Sequence, residues 1–302
     1  MPPFTGRRSA RVAAFPKCFM DQLCVTRSMT LFDWIEMAKG LGVGGLEMYA
    51  GFFPNFEEPY LDQVRGALQR AGFSMPMFCY SPDFTHPDPA VRAREVEQQK
   101  QMIAVTAYLG GSSCRVLSGQ RRPEVGIEEG TAYVVAAIEA LLPEAQKHSV
   151  VLVMENHYKD NYWTYPEFAQ QQEVFCGIVE RIRSPWFGVQ FDPSNAILAG
   201  DNPVALLRRV KYRVVTMHAS DRFLLPGHTL EELRTVENQA GYAAILSHGV
   251  VGRGLNDYDS IFKLLQEVDF NGWISIEDGM NGLDEIRESA EFLKQKIAQY
   301  LS

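Results

Sequence analysis

Residues 187–220 read FGVQFDPSNAILAGDNPVALLRRVKYRVVTMHAS, and the order of apolar and polar positions in them decides the fold. FGVQFD is a short, nearly continuous apolar run that closes on an acid. NPVALLRRV follows with apolar residues at helical spacing, and RVVTMHAS returns as a second apolar run holding a histidine near its end. A strand covered on both faces reads as a continuous apolar run, and strands alternating with helices of this length lie parallel in one sheet.

The same rhythm continues outward in both directions. Strands are expected at RVAAFPKCF (11–19), GGLEMY (44–49), FSMPMFCY (73–80), SSCRVLSG (112–119), VVLVMEN (150–156) and, past the opening stretch, WISIED (273–278). Helices are expected at 31–42, 60–73 with Gly72 as its C-terminal cap, 90–111, 128–148, 164–182, 202–210, 257–268 and 283–301. Eight strands and eight helices in strict alternation predict an α/β fold: one closed (β/α)8 TIM barrel over residues 13–302, preceded by a flexible tail over residues 1–12. One segment breaks the rhythm. Arg222 to Asn256 is too long for a plain loop and forms a long insertion after strand 7, holding a short helical piece (HTLEELRTV, 228–236) and a glycine-rich stretch (HGVVGRGL, 248–255). An insertion there is expected to act as a lid or an oligomer contact.

Composition narrows the class further. The 302 residues are 46% hydrophobic and carry a formal charge of −8. That balance speaks against a nucleic-acid surface, which needs a basic stripe. No apolar run is long enough for a membrane span. Arg7 and Arg8 invite an export reading, but the apolar stretch behind them is interrupted by Pro16 and Lys17, so a cytoplasmic location is expected. Cys18, Cys24, Cys79, Cys114 and Cys176 are scattered and odd in number, with no C-x-x-C pair, and read as reduced thiols.

Chemistry in a barrel sits at the C-terminal ends of its strands. Strand two closes on Glu47, strand five on Glu155 followed by Asn156 and His157, strand six on Asp192, strand seven on His218, and strand eight on Glu277 followed by Asp278. Four consecutive strands thus bring Glu, Asp, His and Glu to one rim. Three carboxylates and an imidazole form a divalent-metal site, best matched to Mn²⁺, with Mg²⁺, Co²⁺, Fe²⁺ and Zn²⁺ also compatible. Without an ion, three carboxylates crowded at a barrel mouth would repel one another.

The order VMEN (153–156), FDPSN (191–195), MHASD (217–221) and SIED (275–278), with GRGLNDY (252–258) and FNGWISIEDGMNG (270–282), resembles the xylose-isomerase-like barrel superfamily of sugar phosphate isomerases and epimerases. The resemblance runs from about Val12 to the C-terminus. It implies metal ligands at Glu155, Asp192, His218 and Glu277, with Glu155 and Glu277 as the catalytic pair that exchanges protons with the substrate. The implied function is a divalent-metal-dependent sugar isomerase or epimerase. It would abstract a proton next to a metal-chelated carbonyl, through an enediolate, on a ketose or keto-sugar derivative. The alternative is a lyase on the same scaffold, either a dehydratase or a β-eliminating enzyme on 3-keto-glycosides. Ketose 3-epimerases of the group place a histidine where this chain has Asn195, which can bond a hydroxyl but cannot shuttle a proton. Relatives of this kind are often dimers or tetramers, so a homo-oligomer acting on a small sugar or polyol is implied.

Further contacts to substrate are expected from Lys17, Glu47, His157, Asn195, Asp221 and Arg253, with Lys159 as an anion contact. Trp163, Phe52 and Phe53 are candidates for an apolar wall. A DNA-repair endonuclease of the related barrel group would need more histidines than the six present, and a basic groove.

Overall fold

The computed structural model describes residues 10–160, 162–234 and 244–301. Its main sheet runs β1 (Arg11–Ala14), β2 (Gly45–Leu46), β3 (Met48–Tyr49), β4 (Met77–Cys79), β5 (Ser113–Val116), β6 (Val151–Glu155), β7 (Phe187–Phe191), β8 (Val214–Ala219) and β11 (Trp273–Ile276). All pair in parallel, in the order β2-β1-β11-β8-β7-β6-β5-β4-β3. The two ends of that order are the two halves of one strand, interrupted at Glu47. β2 pairs with β1, whereas β3 pairs with β4. The sheet therefore closes on itself, and nine segments make the eight strands of a (β/α)8 barrel. Strand centres are buried almost without exception, as strands between helices and a filled interior must be.

Among the described residues the helices are α1 (Leu31–Met37), α2 (Glu58–Ala71), α3 (Pro89–Tyr108), α4 (Ile127–His148), α5 (Gln172–Arg181), α6 (Pro193–Leu198), α7 (Pro203–Val210), α8 (Tyr258–Gln266) and α9 (Leu283–Tyr300). Local chemistry sets their ends. Thr30 and Asp33 form a reciprocal capping box on α1. Asp88, Asn202 and Asp257 cap α3, α7 and α8 with side-chain oxygens, each a contribution of about 1 kcal/mol. Gly72 stops α2 in the left-handed conformation (φ 78°), as its expected cap role requires.

Four departures from the sequence reading have physical causes. The first strand ends at Ala14 because Pro16 leads into a 3₁₀ turn, Lys17–Phe19. The barrel begins before residue 13: Arg11 and Val12 already pair with Trp273 and Ile274, while residues 1–9 of the expected tail lie outside the described residues. The helix expected from 164 starts only at Gln172, since Glu167 bridges to Gln120 in a loop. Finally, α6 is an extra turn and a half with no apolar period, nucleated by Asp192.

The insertion after the seventh barrel strand is a two-stranded antiparallel hairpin, β9 (Asp221–Leu224) with β10 (Leu246–Gly249). The expected helical piece is a 3₁₀ segment, Leu230–Arg234, and Thr235 and Val236 lie outside the described residues. Among the described residues no helix is long and apolar enough to cross a membrane.

Candidate metal centre

Barrel register brings four strand ends to one point. Glu155 closes β6, Asp192 follows β7, His218 lies on β8 and Glu277 follows β11. Each offers a ligand atom, and these atoms all lie within 4.8 Å of one another. His218 Nδ1 stands 3.0 Å from both Glu155 Oε1 and Glu277 Oε2. Asp192 Oδ1 accepts bonds from Ser194 N, Asn195 N and Ser220 Oγ at 2.8, 3.1 and 2.8 Å. That leaves Oδ2 as the oxygen open to the centre. Asn156 locks the neighbouring backbone, donating to Asp192 O (2.6 Å) and accepting from Asp192 N (2.9 Å).

Each remaining oxygen of the two glutamates meets a cation. Lys17 Nζ donates to Glu277 Oε1 at 2.8 Å, and Arg115 donates to Glu155 Oε2 at 2.7 Å. Asn195 Nδ2 adds a bond to Glu155 Oε1 at 3.3 Å. Behind the histidine, Nε2 bonds Glu47 Oε1 at 2.7 Å, and the Cys79 thiol donates to the same oxygen at 2.9 Å. A carboxylate on Nε2 leaves Nδ1 as the nitrogen available to an ion and fixes the ring's orientation.

The electrostatics of the cluster fit a site that could hold a cation. Burial, then Glu277 and Glu155, push the Asp192 carboxyl up to about 7. Burial opposes charge on His218, but Glu47, Glu277 and Glu155 hold the imidazole well above its ordinary value. Burial would also raise both glutamates. Against it, His218, Arg115 and His157 hold Glu155 at about 2, and Lys17 and His218 hold Glu277 well below the usual carboxylate range. Protons on Asp192 and His218 thus balance charge where a divalent ion would do so. A buried set of three carboxylates and one imidazole fits Mn²⁺ or another borderline divalent ion.

A cavity of about 630 Å³ adjoins this centre through Lys17, the partner of Glu277, and is lined also by Tyr158, His248 and Met280 among others. The sequence-predicted residues distribute unevenly around it. Lys17 lines the cavity. Buried His157 stacks on Tyr158, with ring centroids 5.1 Å apart, and its Nδ1 has no hydrogen-bond partner among the described residues; burial lowers the ring to about 4. Lys159 and Trp163 are half-buried in the same loop.

Three expected substrate contacts are placed elsewhere. Glu47 lies behind His218 and is fully buried. The Asp221 carboxylate accepts backbone N–H bonds from Arg222, Gly252, Gly254 and Asn256, at 2.9–3.1 Å, and so pins the glycine-rich stretch. Only glycine fits at 254, since a Cβ there would lie 2.3 Å from Arg222 O and Asp221 Oδ1. Arg253 is 70% exposed and paired with Glu288. Phe52 and Phe53 are buried in an aromatic cluster with Phe15 and Phe56. His248, which the sequence left without a role, lies 3.1 Å from Asp278 Oδ1. Arg115 was the residue missed, and its signal was a cation inside the apolar run SSCRVLSG.

A closed (β/α)8 barrel with a buried carboxylate–imidazole cluster at its C-terminal mouth defines an enzyme scaffold. The chain belongs to the xylose isomerase-like TIM barrel family, whose model matches residues 35–296. It is 25% identical over 114 residues to the inosose dehydratase of Clostridium beijerinckii, which covers 35% of this chain and 37% of that relative. The aligned stretch is thus well under half the relative's length. Among solved structures, a D-tagatose 3-epimerase-like protein superposes with a TM-score of 0.73 at 15% identity, covering 96% of this chain and 98% of that one. The IolI protein with a bound zinc atom superposes with a TM-score of 0.74, also at 15% identity, covering 97% and 99%. At these identities the solved structures speak for the fold.

Proposed function

We propose that this chain is a divalent-metal-dependent enzyme that removes a proton next to the carbonyl of a keto-sugar or keto-polyol. The observation that carries this reading is the cluster of Glu155, Asp192, His218 and Glu277, joined through Lys17 to the wall of an open cavity. These four residues would hold the ion, Mn²⁺ first among the compatible ones. Once bound, it supplies Lewis-acid charge to a carbonyl oxygen and a neighbouring hydroxyl.

The chain's own groups do the rest. A carboxylate of the pair Glu155 and Glu277 takes the proton, because both are held ionised at neutral pH. Lys17 presents an ammonium to substrate oxygens from the cavity wall. Asn195 offers an amide beside Glu155, His157 lies buried near the same carboxylate, and His248 lines the cavity. Proton return gives an isomerase or epimerase. Loss of a group β to the carbonyl gives a lyase, the reading that the inosose dehydratase similarity favours. The cavity is roomy enough for a monosaccharide with a substituent.

The test is incubation of the Mg²⁺-loaded protein in D2O with ketohexoses, a keto-inositol and 3-keto-glucosides, followed by NMR. Deuterium next to a carbonyl establishes the proton step; release of water or an aglycone identifies the lyase. An absence of exchange with every substrate, under Mn²⁺ as well as Mg²⁺, removes this reading. We carry forward a homo-oligomer through the insertion that follows β8, where Phe223 of β9 and Leu230 of the 3₁₀ segment are 44% and 51% exposed. Light scattering checks it, and a monomer at working concentration discards it.

A further inference from the structure

The two glutamates of the centre look equivalent in sequence, but their surroundings differ. Glu155 is spent at both oxygens: Oε1 meets His218 and Asn195, and Oε2 accepts from Arg115. Its side chain is 0% exposed, and that of Arg115 is 6% exposed. Arg115 is itself anchored, donating at 3.1 Å to Ser81 Oγ, which in turn donates to Asp160 Oδ2 at 2.7 Å. The pair is sealed in the barrel, and neither member lines the cavity. Glu277 is likewise engaged at both oxygens, by Lys17 and His218, and does not itself line the cavity, but it differs in exposure and in the kind of partner that holds it. Its side chain is 9% exposed, and its outer oxygen is held by Lys17, itself a cavity-lining residue on a flexible stem.

We infer that Arg115 commits Glu155 to holding the centre together, and that proton transfer with substrate passes through Glu277 alone, on one face. The inference rests on the function proposed above and narrows it. Arg115 is a positioning residue, because it acts through Glu155. As substrate enters, Lys17 turns from Glu277 Oε1 toward a substrate oxygen and frees the carboxylate. The C–H bond beside the carbonyl breaks, its electron pair moves toward the carbonyl oxygen, and the proton goes to Glu277 Oε1. Glu277 then returns it to the adjacent carbon, while the proton of the neighbouring hydroxyl moves to the former carbonyl oxygen and that hydroxyl's oxygen becomes the new carbonyl. Alternatively, Glu277 passes it to a hydroxyl that leaves as water when the C–O bond β to the carbonyl breaks. Both outcomes balance without a further reactant. Inversion at the exchanged carbon is not among them, since that needs a second proton group on the opposite face.

Two measurements test this. The first needs no substrate: carbodiimide with glycine ethyl ester, applied to the intact protein with and without Mn²⁺, followed by peptide mapping. Glu277 should be modified and Glu155 at least about tenfold more slowly, since a sealed group reacts only through local opening. Arg115→Gln should bring Glu155 labelling close to that of Glu277, and Arg115→Lys should restore the difference, which a purely structural loss would not. Equal labelling in the wild-type protein overturns the inference even if the variants fail to fold. The second is the D2O incubation. Deuterium should enter without inversion, and Glu277→Gln should abolish it. An inverted, deuterated product that disappears in Glu155→Gln overturns the inference while leaving the proposed function standing. If no substrate exchanges, the proposed function falls and the proton-transfer part of the inference with it, and the labelling result then decides only whether Arg115 seals Glu155.

Discussion

Asp192 Oδ1 takes three hydrogen bonds from α6 and Ser220, so the same carboxyl caps a helix and faces the centre. Asp192→Ala should therefore lower metal affinity by at least about tenfold, with chelator competition as the measurement. Unchanged metal content would mean that the ligand set is wrong. Glu47→Gln should lower affinity by about 10- to 100-fold while leaving the fold intact, because His218 loses the carboxylate that orients it. The Asp192 proton also sets a pH dependence. With its carboxyl raised from 3.8 to about 7, the metal-free folded chain keeps a proton that the unfolded chain releases. That contribution to stability is present below pH 3.8 and is lost as pH rises through 7. An ion must displace this proton, so affinity should climb between pH 6 and 8, by up to about tenfold per unit. Calorimetry in buffers of different ionisation enthalpy reads the released proton directly, and a flat profile would contradict the assignment.

The element that answers most directly to one residue is the glycine-rich stretch after β10. Asp221 satisfies four backbone donors there. Asp221→Ala should destabilise the protein by about 2–4 kcal/mol in denaturant unfolding, since buried donors are left without acceptors. Arg253→Ala, one residue from Gly254 and on the outside, should stay within about 0.5 kcal/mol and leave turnover unchanged. The contrast separates a residue that builds the loop from one that only decorates it. Both sit in the same stretch of sequence, and both read there as polar loop residues near the rim. What divides them is the direction of their side chains: Asp221 turns onto the backbone of the glycine-rich stretch, and Arg253 turns outward to Glu288.

At the scale of the whole molecule, the four proposed ligands come from the ends of four strands, so an ion bound to them would tie the barrel wall together. Such an ion binds the folded chain and not the unfolded one. At 100 times its dissociation constant it should add about 2.7 kcal/mol of stability. Thermal unfolding with Mn²⁺ and then with EDTA checks this, and an unmoved midpoint would count against a resident metal.

The strand-end pattern Glu155, Asp192, His218 and Glu277, the alternation that closes a barrel and the insertion after the seventh strand were all legible in the chain. Each is a local signal: apolar runs have a period, and the polar residue that ends a run sits at the barrel mouth. The split of the second strand at Glu47 and the six-residue helix α6 were not legible, being too short to carry a period. Nor was the inequality of the two glutamates. Arg115 reaches Glu155 across 40 positions and Lys17 reaches Glu277 across 260. Which cation seals its partner and which opens onto the cavity depends on burial, and burial is a property of the closed barrel. Sequence by itself determined the scaffold and the donor set, because these follow from periodicity and side-chain chemistry. Only the tertiary structure decided which carboxylate is sealed and which is held by a cation of the cavity wall, because exposure is set by what packs around a residue in space.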